Sequence, residues 1–193
     1  MAFRISALCL SVVLAACSST GGKKDSPVFA QHSSPVARAR LQARIDNIKY
    51  QRGVTLVTNL ERISAHGEMA VQPCVEGLES PDAMTRMGCA YVLGRIGDTR
   101  TVEPLERLLQ DDVPFVRFEA ASALGAMGSR AGYAALVRGL GNNRIEFRYK
   151  CIEALQEFTH ETFGFRHDAS PEERAGAVRR WQDWLERFEA EEL

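Results

Sequence analysis

The chain is 193 residues long and carries 24 Lys and Arg against 25 Asp and Glu, a formal charge of −1. That length holds one domain with short extensions. The balance leaves no basic excess of the kind that follows a phosphate backbone, so nucleic acid is not an expected partner.

Residues 1–16 read as a signal peptide. Arg4 gives a basic start, and Ile5 to Leu14 is an apolar run too short to span a bilayer as a mature helix. The run closes on Leu14-Ala15-Ala16-Cys17, which resembles the lipobox of bacterial lipoproteins. The resemblance implies that Cys17 is acylated and becomes the first residue of the mature chain. Several acyl chains on one residue anchor a protein stably, where one chain is marginal. Ser18 rather than Asp follows the cysteine, and by the same resemblance this points to the outer membrane, facing the periplasm. Residues 17–35 are the lipidated cysteine and a tether rich in Ser, Gly, Lys and Pro, with a flexible reach of roughly 20–25 Å.

The folded part is expected over 36–193. Val36, Leu41, Ile45 and Ile48 form a sparse helical stripe among Arg38, Arg40, Arg44, Lys49 and Arg52. This segment reads as a solvated N-terminal cap, with attraction to anionic headgroups as the alternative. Leu56, Val57, Leu60 and Ile63 mark a first helix, and Glu68 to Glu79 a second, with Gly53 and Gly67 as breaks.

From there the sequence repeats. Arg86, Arg117 and Arg148 stand 31 residues apart, as do Leu93, Leu124 and Leu155, and Cys89, Ala120 and Cys151. A fixed period of this size predicts stacked helix pairs, none able to cover its own apolar face. In one unit Cys89, Ala90, Leu93 and Ile96 make the first stripe, Gly97 ends it, and Val102, Leu105, Leu108 and Leu109 make the second, with Pro104 in its first turn. Gly128 ends the next first helix. Asp111-Asp112 and Asn142-Asn143 are the expected N-caps, with Asn143 and Glu146 spaced as a capping box. The helix over 147–158 lacks the terminating glycines, having Gln156 and Thr159 in their places. A final helix over 171–189 follows Ser170 as N-cap. Its broad stripe of Ala177, Val178, Trp181, Trp184, Leu185 and Phe188 predicts a C-terminal cap on the stack, the alternative being a pair of tryptophans that grips a partner.

Asp112, Val116, Arg117, Ala120, Ala121, Ala123, Leu124, Gly125 and Gly128 together resemble the short HEAT-like repeat found in phycobilin lyases and many bacterial proteins. The fold this implies is all-α, an α-solenoid of stacked helix pairs with helical end caps. In such repeats the arginine pairs with an aspartate near the turn. Arg86, Arg117 and Arg148 are therefore expected to form a structural ladder with Asp82, Asp112 or a neighbour.

Of the five cysteines, Cys9 leaves with the leader and Cys17 carries lipid. Cys89 and Cys151 fall where Ala120 does, so buried thiols are expected, and a Cys74–Cys89 bridge stays open. His32, His66, His160 and His167 are scattered without H-E-x-x-H spacing, and G-x-S-x-G is absent. Deoxyhypusine hydroxylase, a HEAT-repeat enzyme, holds two irons through His-Glu pairs at matching points of several repeats. This chain has one such pair, His160-Glu161, beyond the last repeat. These observations predict no catalytic residues, no metal, no cofactor, and a protein that is not an enzyme.

The expected function is a membrane-anchored scaffold or adaptor of the bacterial cell envelope. It would bind another envelope protein on the concave face lined by second helices. In register, Gln72, Glu103 and Ala134 share one row, and Glu76, Arg107 and Arg138 another. Glu103, Arg107 and Arg138 are the candidate contacts, since arginine is enriched at interfaces. The alternatives are a lyase-like protein holding a small molecule, chromophore or metal, and a structural subunit of an envelope complex.

Overall fold

The computed structural model describes residues 34–191, with side chains to residue 188. The expected leader, Cys17 and nearly all of the tether lie outside the described residues. Those described form nine α-helices and no strand: α1 (Pro35–Asp46), α2 (Gly53–Ser64), α3 (Glu68–Gly77), α4 (Ala83–Ile96), α5 (Val102–Arg107), α6 (Pro114–Ala126), α7 (Arg130–Gly139), α8 (Ile145–Thr159) and α9 (Pro171–Glu191). Helices α2/α3, α4/α5 and α6/α7 follow one another as pairs, and after α8 the chain returns to lay α9 on α7. First helices pack on one another along the stack, α2 on α4, α4 on α6 and α6 on α8, while α1 lies against α2 and α3.

Helices α4 and α6 approach closely. A Cβ on Gly94 would stand 2.7 Å from the Ala123 Cβ, so nothing larger than glycine fits there without the helices parting. Helix α6 is apolar nearly all round, as a central helix must be. Val116, Ala120, Ala123 and Leu124 join the core built with α1 to α5. Phe118 and Ala121 join the second core, made with α7, α8 and α9.

Helix boundaries follow local chemistry. The Asp82 side chain accepts the Thr85 N–H at 2.9 Å and caps α4. At the other end Gly97 takes φ 73°, and its N–H reaches the Leu93 carbonyl at 2.9 Å. Without a terminating glycine, α8 runs on to Thr159, and His160 adopts the left-handed conformation at φ 59°. Two expected caps are corrected. Asp111-Asp112 and Asn142-Asn143 do not cap α6 and α8, which begin after Val113 and Arg144 with no side-chain cap, and Asn143 and Glu146 form no capping box. Instead Asp111 Oδ1 accepts the Val113 N–H and Asn142 Oδ1 the Arg144 N–H, each at 2.9 Å, two residues on. These turns tighten the loop ahead of the helix and leave its first turn to Pro114 or to water.

Helix α9 closes the far end of the second core. Ser170 and Glu173 form a reciprocal capping box, with N–H donors 3.0 and 3.2 Å from the opposite side chains. Ala177, Trp181 and Leu185 are buried. The Trp181 ring meets Phe163 edge-on at 4.7 Å and Trp184 at 5.5 Å. Trp181 is a core residue, and its buried Nε1 has no hydrogen-bond partner among the described residues. Cys74, Cys89 and Cys151 are buried free thiols. Cys74 and Cys89 are hydrogen-bonded to each other, and that bond with burial pushes the Cys74 pKa far up.

Candidate functional site

The three ladder arginines use one edge in the same way. Arg86 Nη1 donates to the carbonyls of Ser80 and Pro81 at 2.8 and 3.2 Å. Arg117 Nη1 donates to those of Asp111 and Asp112 at 2.5 and 3.1 Å. Arg148 Nη1 donates to those of Asn142 and Asn143 at 2.9 and 3.1 Å. Each guanidinium thus folds back six and five residues to satisfy the loop that precedes its own helix. This strand of contacts fixes where the pair of helices turns.

The other edge, Nε with Nη2, differs from unit to unit. In Arg86 it grips the Asp111 carboxylate at 2.7 and 3.0 Å, a fork-to-fork pair bridging one unit to the next. The pairing holds Asp111 well below the usual carboxylate range and raises Arg86. In Arg148 it donates to the His167 carbonyl at 3.0 and 2.7 Å, tying the repeats to the loop before α9. In Arg117 no bond from Nε or Nη2 is made among the described residues. Asp111 is the carboxylate of the ladder. Asp112 contributes its backbone carbonyl, and Asp82 serves its own helix as cap.

Arg117 lines a cleft of about 510 Å³ between the end of the second unit and helices α6, α7 and α8. Leu109, Phe118, Ala121, Leu136 and Phe147 give the lining its apolar part, with Leu109 and Phe147 half-buried and the others buried. Phe118 and Phe147 meet edge-on at 5.8 Å, and Lys150 Nζ stands 5.7 Å over the Phe118 ring. The polar lining is Arg117, Arg138, Gln110 and Asn142, with no Asp or Glu. Cys151 also reaches the cleft, where burial pushes its thiol up to about 12, so it stays protonated.

The register rows are satisfied unevenly. In the first unit Gln72 donates to Glu76 at 3.0 Å. In the second Arg107 pairs with Glu103 at 3.4 Å, both on the open surface at 59% and 87% exposure. In the third Ala134 replaces the partner, and Arg138 stands exposed at the cleft with no ion pair among the described residues. Of Glu103, Arg107 and Arg138, the structure therefore brings only Arg138 to a concave site. The sequence pattern marks Asn142 only as an expected N-cap, and it does not single out Gln110 or the two phenylalanines as site residues. The readable signal was in register: Arg117 repeats Arg86, but Asn142 stands where Asp111 stands one period earlier.

A smaller cleft of about 290 Å³ lies across α4, α6 and α8, lined by Tyr91, Arg95, Glu119, Ser122, Glu157 and neighbours. The Tyr91 hydroxyl donates to Glu61 at 2.6 Å. Burial, followed by that bond, pushes Tyr91 up to about 12. Burial also pushes the Glu119 carboxyl up to about 7, only partly offset by the Lys150 charge. His160 serves as the α8 terminator, and Glu161 beside it is exposed. Among the described residues no group of three or more His, Cys, Asp and Glu is placed to hold a metal ion. Among them, too, no helix is long and apolar enough to cross a membrane.

A family profile described as HEAT repeats matches residues 66–159. The chain is similar to deoxyhypusine hydroxylase of Gibberella zeae, 43% identical over 61 residues, covering 31% of this chain and 18% of that protein. It is similar to the phycocyanobilin lyase subunit alpha of Picosynechococcus sp., 33% identical over 104 residues, covering 48% of this chain and 39% of that one. The Homo sapiens deoxyhypusine hydroxylase is 36% identical over 101 residues, covering 51% of this chain and 33% of that protein. The chain thus spans between about a fifth and two fifths of the length of these relatives. These names correct one expectation. The absence of a motif led to a protein that is not an enzyme, yet the relatives that share its repeats are named as enzymes. Short catalytic motifs are a poor guide in a solenoid, where side chains from separate repeats can converge without any fixed spacing. Residues 66–159 are HEAT repeats, and the all-helical stack built on them is an α-solenoid.

Proposed function

We propose that this chain is a membrane-tethered binding module of the bacterial cell envelope, acylated at Cys17 and engaging a partner polypeptide at the third helix pair. The observation that carries the reading is the uneven row of second-helix charges. Glu76 and Arg107 are occupied within their own helices, whereas Arg138 lines a cleft with no ion pair among the described residues. A charge lining a cleft of mixed polar and apolar side chains is a recognition element, because it fixes the orientation of what enters. The tethered geometry is supported by the N-terminal end of the stack. There Arg38, Arg40, Lys49 and Arg52 are exposed beside Tyr50 and Val54, at 74% and 83% exposure, a mixture suited to an anionic surface.

The test is in-cell crosslinking of the tagged full-length protein. The reading expects an envelope protein captured by the parent, lost with Arg138→Glu and retained with Arg107→Glu. It also expects the Cys17→Ser variant to leave the membrane fraction. Equal capture by parent and Arg138→Glu would refute it.

A second reading is favoured by the similarity to the phycocyanobilin lyase subunit alpha over 48% of this chain. In it the 510 Å³ cleft holds a small molecule. A purified sample absorbing above 300 nm, with the absorbance lost on mutating the cleft, would support this reading. A colourless sample that binds no added chromophore would oppose it.

A further inference from the structure

The three ladder arginines present the same fork in three settings, and only one setting is left open. On the edge made by Nε and Nη2, Arg86 holds a carboxylate, Arg148 holds a carbonyl, and Arg117 makes no bond among the described residues. The cause is a single register difference, Asn142 for Asp111. Asn142 keeps the turn, accepting the Arg144 N–H at 2.9 Å as Asp111 accepts the Val113 N–H. It does not supply the anion. Asp111 itself feels the Arg117 charge, but both of its oxygens are taken by Arg86. Arg117 is partly buried, so its unused donors are not simply given over to bulk water.

We infer that Arg117, with Arg138, forms a carboxylate-binding site at the mouth of the cleft between α6, α7 and α8, and that its ligand carries the carboxylate on an apolar or aromatic body. The fork geometry is the one that the chain itself uses for Asp111, and guanidinium and carboxylate match bidentately. Arg138 supplies a second positive charge, and Gln110 and Asn142 supply amides; the lining holds no acidic side chain, and the nearby Asp111 carboxylate is neutralised by its pairing with Arg86. The body would lie against Leu109 and Phe147, the half-buried large apolar side chains of the lining. The inference is independent of the anchor at Cys17. It deepens the binding-module reading by naming what the partner must offer, and it stands equally if the ligand is a free organic acid.

The experiment titrates the full-length protein, purified in detergent, with four probes: 3-phenylpropionate, 3-phenylpropanamide, and a pentapeptide ending in Leu-Phe with either a free or an amidated C-terminus. The readouts are the affinity and the NMR signal of the Arg117 Nε–H. Both carboxylates should shift that signal, and each amide should bind about tenfold more weakly than its acid. The decisive variant is Asn142→Asp, which restores the missing carboxylate. It should fill the socket from within, raise the melting temperature and weaken both acids about tenfold or more. Arg117→Gln should weaken them similarly without the gain in melting temperature. A peptide acid tighter than phenylpropionate assigns the carboxylate to a partner polypeptide, and the reverse order assigns it to a small organic acid. Amides that bind as well as acids, or Asn142→Asp binding the acids as the parent does, would overturn the site.

Discussion

Arg86 and Asp111 show how much of the ladder rests on one pair. Their side chains are 16% and 9% exposed, and the bond bridges two units. Asp111→Asn should cost about 1–3 kcal/mol at pH 7, because a hydrogen-bonded charge loses its counterpart while the turn survives. The folded pKa of Asp111 is depressed. Its stabilisation is therefore present above the unfolded carboxylate value near 4 and lost as pH falls through the folded value. Urea melts of parent and variant should converge in acid. Glu119 runs the other way. Its pKa is raised from 4.5 to about 7, so the native state holds the proton more tightly and stability declines as pH rises through that window. Glu119→Gln should add on the order of 1–3 kcal/mol at pH 8 and nothing at pH 4, read from the same melts. The arginine series was legible as a ladder from its spacing. Which carboxylate closes each rung was not, because Asp111 and Asp112 are adjacent and only the turn decides which one faces Arg86.

Helix ends and the terminal cap show where pattern reading succeeds and where it stops. Gly97 terminates α4 in the left-handed conformation that the sequence called for. In α8 the same geometry falls to His160, where a Cβ is strained. His160→Gly should raise stability by about 0.5–1 kcal/mol, measured by thermal melting. The stripe in α9 and its Ser170 cap were readable from spacing, whereas the buried place of Trp181 between Phe163 and Trp184 depends on a loop that no periodicity describes. Trp181→Ala should cost about 3–5 kcal/mol. Trp181→Phe should cost well under half of that, because it also removes an indole N–H buried without a partner among the described residues. The expected caps at Asp112 and Asn143 were displaced by a competing use of the same residue types, the Asx turn two residues on, which propensity alone does not distinguish from a cap.

At the scale of the whole molecule, two cores share α6, and the cleft proposed for binding opens where the second of them begins. The 31-residue period made the stack legible, because identical spacing of arginine, leucine and small residues leaves few other architectures. It did not make the site legible, because the site is a break in the repeat. It lies where Asn142 and Ala134 depart from the preceding unit, and a pattern reader averages over such departures. The relatives named as enzymes share the stack over part of their length. Whatever this chain binds therefore has to be read from the departures and not from the repeat. The most direct measurement places a photocrosslinking amino acid in the cell-bound protein at position 135, in the cleft lining with Arg117 and Arg138 intact, and separately at the exposed position 153 on α8. One envelope partner should be captured from position 135, abolished by Asn142→Asp, with no such capture from position 153. Capture of the same partner from position 153 but not from 135, unaffected by Asn142→Asp, would contradict the assignment.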